Sequence, residues 1–143
     1  MSEKHEEDRS NWSVQQWIDY AIAGNKDLRC ANFEGADLRY ANLEGANLSL
    51  ASLKGATLGG ANLKEAYLWG AILEGANLKW TNCKGANLSM TDLNGAILED
   101  ANLREAWFFK ANLEGASLRG ADLRYANLEG HNLDDLHKRV AGF

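Results

Sequence analysis

Hydrophobic residues recur along most of the chain with a period of five. Residues 26–135 divide without a gap into 22 blocks of five, from KDLRC to HNLDD. In the 20 blocks that span residues 31–130, the first position is Ala in 18 and the third is Leu in 17. The second position is Asn, Asp, Ser or Thr in 16 blocks, and the fifth is Gly in 11. This period excludes an amphipathic helix, because successive leucines would lie about 140° apart around its axis.

Each block instead predicts a short strand that ends in a corner. Side chains alternate across a strand, so the first and third residues point inward and the second and fourth point outward. Because five is odd, the chain must turn at every block boundary to keep Ala and Leu inside, and a fifth-position glycine permits that turn. Proline would remove an N–H from the ladder between coils, and the sequence contains none.

A second period of 20 residues defines the size of one coil. Glycine recurs at this interval without exception at Gly35, Gly55, Gly75, Gly95 and Gly115. Four blocks per coil predict a roughly square cross-section, and the 110 repeat residues correspond to about 5.5 coils. With strands about 4.8 Å apart, the coils would form a rod about 26 Å long.

The blocks resemble the pentapeptide repeat family, whose consensus is A(D/N)LXX. The resemblance covers residues 26–135, about three quarters of the chain. It implies an all-β solenoid, a right-handed quadrilateral β-helix. The hand comes from the family and not from the spacing. Many members are bacterial proteins of unknown function, and a few bind DNA gyrase by imitating DNA.

The segment before the repeats predicts a helix that covers the first coil. Ser13 and Gln16 fit a capping box, and Trp12 and Trp17 fit a hydrophobic staple. At helical spacing the segment presents one apolar face, made of Val14, Trp17, Ile18, Ala21 and Ile22. A solenoid needs such covers because its two open edges invite aggregation.

The C-terminal residues DDLHKRVAGF predict a short second helix that starts at Asp134 and Asp135. Leu136, Val140 and Phe143 would cover the last coil, although the resemblance implies that Phe143 could serve a dimer interface instead. The expected organisation is a polar, flexible N-terminus (1–12), a capping helix (13–24), the β-helix (26–135) and a C-terminal helix or tail (134–143).

Composition narrows the class of protein. The 143 residues carry a net charge of −5, which argues against a basic nucleic-acid-binding surface. No apolar run approaches the roughly 18 residues of a membrane span, and the polar start MSEKHEEDRS is not typical of a signal peptide. We therefore expect a cytoplasmic protein that binds neither membranes nor nucleic acid directly.

The chemistry-bearing residues predict neither catalysis nor a cofactor. Cys83 occupies the third, inward position of its block and should behave as a buried hydrophobic residue. Cys30 occupies the fifth position, at a corner, and should face outward. The two cysteines have no zinc spacing, and none of the three histidines has a Ser or Cys nucleophile in a recognisable arrangement. We expect no metal site, because helix capping explains Asp134, Asp135 and His137 better.

Apolar residues at outward positions mark one face of the predicted coil. They fall on four successive coils and form what we call the aromatic stripe: Leu50, Tyr67, Trp69, Met90, Trp107 and Phe109. Tyr67 and Trp107 occupy second positions that are normally Asn or Asp. Such stripes usually mark contact surfaces, and these residue types are enriched there. The alternative is that the rings pack against one another or against the N-terminal segment as cover.

The other three faces give weaker signals. One carries the cationic column, which is Lys64, Lys84, Arg104 and Arg124, and it is either a solvated charge ladder or a site for an anion or acidic partner. A second face is mildly acidic, but Lys54 interrupts its column. The last face is mixed, with Tyr40 and Trp80 separated by Gly59 and Gly60.

These observations predict a non-enzymatic protein-interaction or scaffold module that acts through the aromatic stripe on a protein partner or a second copy of itself. The alternative is a DNA-mimicking protein that binds and protects gyrase. That alternative requires a dense acidic surface, whereas the repeats hold 15 acidic and 11 basic residues. Gyrase is therefore the less favoured partner.

Overall fold

The computed structural model describes residues 7–142, which form a β-helix between two short helices. Its strands are single bridged residues at the second position of each block. Every bridge is parallel and joins residues 20 apart, from Asp27–Asn47 to Trp107–Asn127. This register confirms the predicted four blocks per coil.

Three kinds of backbone hydrogen bond hold neighbouring coils together. The N–H of Leu48 donates to the Tyr67 carbonyl at 2.7 Å, and the N–H of Tyr67 donates back to Ala46 at 2.9 Å. At the corner, the N–H of Leu50 donates to Trp69 at 3.0 Å. The pattern repeats in almost every block, so most of the backbone is paired across coils.

Each corner depends on a left-handed residue. A β-turn closes where the N–H of Ala51 donates to the Leu48 carbonyl at 3.0 Å. All fifth positions from 30 to 130 have positive φ, and they comprise 11 glycines and ten other residues. The left-handed region is unfavourable for L-residues by about 1–2 kcal/mol, which explains why glycine is preferred there.

The second-position Asn and Asp residues stabilise the same corners. The side-chain oxygen of Asn47 accepts a hydrogen bond from the N–H of Ser49 at 3.1 Å, and Asn87 does the same for Ser89 at 3.0 Å. This turn geometry is typical of Asn and Asp. This hydrogen bond explains why the second position favours Asn and Asp over other polar residues, which outward orientation alone does not explain.

The core is the column of Ala and Leu side chains, with Phe33 and Phe108 at two central positions. Thr81 replaces the alanine at the first position of its block, and its buried hydroxyl donates to the Leu78 carbonyl at 2.8 Å. Cys83 is buried and Cys30 exposed, as predicted. Burial raises the pKa of the Cys83 thiol to about 11, which leaves it inert as a nucleophile.

Helix α1 (Val14–Ile22) has the predicted capping box between Ser13 and Gln16. The rings of Trp12 and Trp17 lie 5.0 Å apart, in the staple position. Trp17 and Ala21 are buried, but Ile22 is 71% exposed, so its assignment to the covering face was wrong. Ile22 lies about 140° around the helix from Trp17, outside the face that contacts the coil.

Arg9 fastens the preceding segment to the first coil, within a region predicted to be flexible. Its guanidinium donates to the Asp27 carbonyl at 3.0 Å and lies 3.3 Å from the Asp27 carboxylate. It also lies over the rings of Tyr20, Trp17 and Trp12, at 4.9–5.8 Å from their centroids. In later coils the equivalent carbonyl accepts from a preceding coil, so Arg9 replaces that missing donor.

Helix α2 (Leu133–Val140) covers the other end and begins earlier than predicted. Its N-cap is Asn132, whose side chain accepts from the N–H of Asp135 at 3.1 Å, so the last predicted block HNLDD belongs to the helix and not to a coil. The Arg139 guanidinium donates to the Leu113 carbonyl, in one of the last coils, at 2.6 Å. Leu136 is buried, whereas the prediction for Phe143 lies outside the described residues.

Gly55 and Gly59 allow the effect of left-handed backbone to be measured separately from the effect of side-chain packing. Gly55 has a φ of +64°, and an added β-carbon would meet nothing within 4 Å. Gly59 is the single glycine of the chain without positive φ, and its β-carbon would lie 3.7 Å from the Lys79 carbonyl oxygen. We expect Gly55→Ala to lower the free energy of unfolding by about 1 kcal/mol, because alanine is strained there.

Gly59→Ala should leave this free energy unchanged or raise it by about 0.5 kcal/mol, since alanine reduces the entropy of the unfolded chain. Urea unfolding followed by circular dichroism measures both variants. If both variants lost the same stability, the conclusion that Gly55 has left-handed backbone and Gly59 does not would be wrong.

Removal of the Arg9 side chain should loosen the N-terminal cover. We expect Arg9→Ala to lower the free energy of unfolding by about 1–2 kcal/mol, because the Asp27 carbonyl loses its donor and three rings lose a cation. Arg29→Ala is the matched control, since Arg29 pairs with the same aspartate on the surface and should matter less. If both variants lost equal stability, Arg9 would be an ordinary surface partner.

Candidate functional site

The β-helix register places the aromatic stripe on a single face. Bridges link Asn47, Tyr67, Asn87 and Trp107 in one column, and the stripe residues occupy outward positions of the same blocks. Their exposed fractions lie between 41% and 56% for Leu50, Tyr67, Trp69, Met90, Trp107 and Phe109. The sequence therefore predicted both the alignment and the exposure of these side chains.

The rings form two ridges. Tyr67 and Trp69 lie on one coil, and Trp107 and Phe109 lie two coils further on, about 10 Å away along the axis. The coil between them carries Asn87 and Ser89 at the equivalent positions and Met90 at its corner. Of these, Ser89 is only 8% exposed, although its position points outward. The two ridges thus flank a coil whose exposed stripe residue is Met90, at 45%.

The stripe is not covered by other rings. In the described part of the chain, ring-to-ring contacts occur only among Trp12, Trp17, Tyr20 and Phe33 at the N-terminal end. Of the six stripe residues, only Leu50 lines the cavity of about 660 Å³ beside the N-terminal segment. Within residues 7–142, the rings of the stripe therefore do not pack against one another, and of the stripe residues only Leu50 borders the segment that precedes helix α1.

The stripe residues also forgo local stabilisation. Tyr67 and Trp107 replace the Asn or Asp that would accept a hydrogen bond from the N–H two residues on, and such a bond contributes about 1 kcal/mol. Leu50 and Met90 have φ of 59° and 61° at corners where glycine would be unstrained. These four choices are locally unfavourable for the fold.

The cationic column is partly neutralised. Arg124 makes a two-bond pair with Asp122, at 2.9 and 2.7 Å, and the Lys84 ammonium lies 3.9 Å from a carboxylate. Lys64 and Arg104 have no ion-pair partner within residues 7–142, and the Arg104 Nε is buried without a hydrogen-bond partner there. Arg104 nevertheless acts on the Asp122 carboxylate, whose pKa its charge helps to lower after the larger effect of Arg124, so within residues 7–142 Lys64 is the cation of the column without such a partner.

The acidic face is neutralised in the same way. The ammonium of Lys54, which interrupts the acidic column, lies 3.5 Å from the carboxylate of Glu74 on the next coil. Residues 7–142 contain no group of His, Cys, Asp and Glu that could hold a metal ion. None of their helices is long and apolar enough to cross a membrane.

A family model for pentapeptide repeats matches residues 27–64, 61–100 and 101–135, as eight copies in total. The chain belongs to the pentapeptide repeat family. This match confirms the resemblance predicted from the blocks. No curated protein sequence matches the chain.

Solved structures include similar pentapeptide repeat proteins. Rfr23 from the cyanobacterium Cyanothece 51142 is 35% identical over 67% of this chain, with a TM-score of 0.52. A protein of the Arabidopsis thaliana thylakoid lumen is 30% identical over 73% of this chain and 69% of its own, with a TM-score of 0.51. The chain spans 58% of the length of Rfr23.

A third similar solved structure is that of QnrB1, a plasmid-mediated fluoroquinolone resistance protein. It is 18% identical over 80% of this chain and 83% of its own, with a TM-score of 0.42. This likeness carries no argument about the fold or a partner.

The structure also joins residues that the sequence analysis kept apart. Gly59 and Gly60 were expected to isolate Tyr40 from Trp80, yet both rings line one cleft of about 500 Å³. The signal was available in the sequence, because Gly59 is the only glycine at any fourth position from 29 to 129. In this pentapeptide repeat protein, an outward position without a side chain is as informative about the surface as one that carries a side chain.

The pair of Asp122 and Arg124 predicts a dependence of stability on pH. Hydrogen bonds from Arg124 lower the pKa of Asp122 from 3.8 to about 2. Because the folded pKa is the lower one, the carboxylate stabilises the fold above about pH 4, and this contribution is lost as the pH falls through about 2. Asp122→Asn should slightly lower the unfolding temperature at pH 6 and leave it unchanged near pH 2. A constant difference across this range would contradict the pairing.

Proposed function

We propose that this chain is a non-enzymatic protein-interaction or scaffold module whose contact surface is the aromatic stripe. The observation that carries the proposal is the alignment of six exposed apolar side chains on one face of the coil. In this proposal a right-handed β-helix, covered by a helix at each end, serves as the rigid support.

The residue types support a protein contact. Large exposed apolar patches are uncommon on monomeric proteins, and Trp, Tyr and Met are enriched where partners bind. Two ridges about 10 Å apart would offer a partner separate anchoring points. The rings are exposed and have no ring partners within residues 7–142, so a binding protein would not have to displace any ring of that part of the chain.

The unfavourable local choices support the same proposal. A surface selected only for folding would keep Asn or Asp at positions 67 and 107 and glycine at positions 50 and 90, because those residues suit the corner. Strain and lost hydrogen bonds tend to concentrate where function requires particular side chains. Four such departures fall on this face, and corners without glycine also occur on the other faces, for example at Trp80 and Glu105.

The backbone ladder supports binding by a preformed surface. The corners at Leu50, Gly70 and Met90 each donate a backbone hydrogen bond to the next coil, so the stripe residues are held in a fixed register. A surface that is rigid before binding loses less conformational entropy on association. Lys64 on the preceding face, which makes no ion pair within residues 7–142, would favour a partner with acidic residues at its rim.

The partner is another protein or a second copy of this chain. DNA gyrase remains the alternative partner, but the charges do not favour it, because Lys54 and Glu74 neutralise each other on the acidic face. A gyrase binder would inhibit supercoiling at stoichiometric protein, whereas the proposed module would leave it unchanged.

The proposal is tested with the triple variant Trp69→Ser, Trp107→Asn and Phe109→Ser. We expect the wild type to form a dimer by light scattering or to retain a partner from its native lysate, and the variant to lose that complex. Trp107→Asn restores a corner hydrogen bond worth about 1 kcal/mol, so thermal unfolding should show that the variant stays folded.

The matched control removes three aromatic residues that are more exposed than these and lie on other faces, by Tyr40→Ser, Trp80→Ser and Tyr125→Ser. This control should keep the complex. If the stripe variant and the wild type gave the same profile, the stripe would not be the contact surface.

A further inference from the structure

The cleft between Tyr40 and Trp80 lies on a different face from the aromatic stripe. Both are fifth-position residues of one column, and the bridges of Asp37 with Thr57 and of Thr57 with Asn77 place them two coils apart. With strands about 4.8 Å apart, the two corners are separated by about 10 Å. The cleft between them has a volume of about 500 Å³, within the range of small-molecule sites.

The coil between the two rings carries no outward side chain at its corner. Gly60 has a φ of +68°, and the Tyr40 ring lies across it, so that an added β-carbon would be 2.6 Å from two ring carbons. Gly60 is therefore explained by conformation and by the neighbouring ring. Gly59 is not, because its backbone suits any residue and a β-carbon would meet only ordinary contacts.

Gly59 thus leaves space that the fold does not require to be empty. Fourth positions elsewhere carry polar, charged or aromatic side chains, and a side chain here would fill the cleft between Tyr40 and Trp80. The two rings are also kept at corners where L-residues are strained, with φ near 60° for each. Both features are unfavourable or neutral for stability, and both open an aromatic-walled cleft.

Polar groups converge on the same cleft with balanced charge. Asp37 and Arg39 form a two-bond pair at 2.9 and 2.7 Å. The Lys79 ammonium lies 4.5 Å from the centroid of the Trp80 ring and 3.4 Å from the carboxylate of Glu99. Each cation therefore has a carboxylate partner, and the cleft offers both donors and acceptors without excess charge.

We propose that this cleft binds a neutral sugar, with a pyranose ring of an oligosaccharide stacked against Tyr40 and Trp80 above Gly59. The C–H faces of a pyranose are apolar and complement the negative face of an aromatic ring. Sugar hydroxyls both donate and accept, so they match the Asp37 carboxylate together with the Arg39 and Lys79 donors. A phosphate-bearing ligand fits less well, because both cations are already paired.

The test titrates cellotetraose, chitotetraose and maltotetraose, and adenosine 5′-monophosphate as a planar anion, up to about 10 mM, a range that includes single-ring affinities. Binding is measured by saturation-transfer NMR and by the indole N–H signal of Trp80, assigned with Trp80→Phe. We expect at least one oligosaccharide to bind and to shift that signal. Binding of the nucleotide alone, or of no probe, would overturn the proposal.

The decisive variant is Gly59→Gln, which fills the cleft at a position where the backbone accepts any residue. We expect it and Trp80→Ala to weaken sugar binding at least tenfold. The control Asn94→Gln places the same side chain at an exposed fourth position of another face and should leave binding unchanged. Sugar binding that survived Gly59→Gln would overturn the proposal, and thermal unfolding verifies that each variant is folded.

Discussion

The structure depends on one backbone constraint, a left-handed residue at every fifth position. Because five is odd, a chain without that corner would turn its Leu and Ala side chains alternately outward. The corner restores the inward orientation, and the inter-coil bonds of residues such as Leu48 and Leu50 then follow in a 20-residue register. Every outward side chain is consequently stacked above its counterpart 20 residues earlier, which turns sequence periodicity into surface columns.

The same ladder creates the problem at the two ends, where coils have no neighbour. At the first coil Arg9 supplies a donor to the Asp27 carbonyl, and at the last coil Arg139 supplies one to Leu113. The Val140 carbonyl accepts from Gly120, and the side chain of His131 lies 2.7 Å from the Phe108 carbonyl oxygen. The covers therefore complete hydrogen bonding as well as burying apolar surface, which blunts both edges against aggregation.

The sequence predicted the coil, the buried positions and the exposed stripe because each follows from a period in residue type. It did not predict the role of Arg9, since a guanidinium that reaches 18 residues along the chain leaves no local pattern. It placed the start of the second helix at Asp134, because HNLDD satisfies the repeat pattern although no further coil follows it. Ile22 was assigned to the buried face because it is apolar, whereas its angle on the helix decides its exposure.

The cleft was missed for a more general reason, which concerns how glycine is interpreted in a repeat. Glycine at a fifth position follows from backbone conformation, and once that explanation is available it is easily extended to every glycine nearby. Gly60 and Gly59 are adjacent, yet only Gly60 has the positive φ that requires it. A departure from the repeat that stability explains says little about function. Gly59, together with Tyr67 and Trp107, is a departure that the local backbone does not require, and these residues lie on the two surfaces for which we propose binding roles.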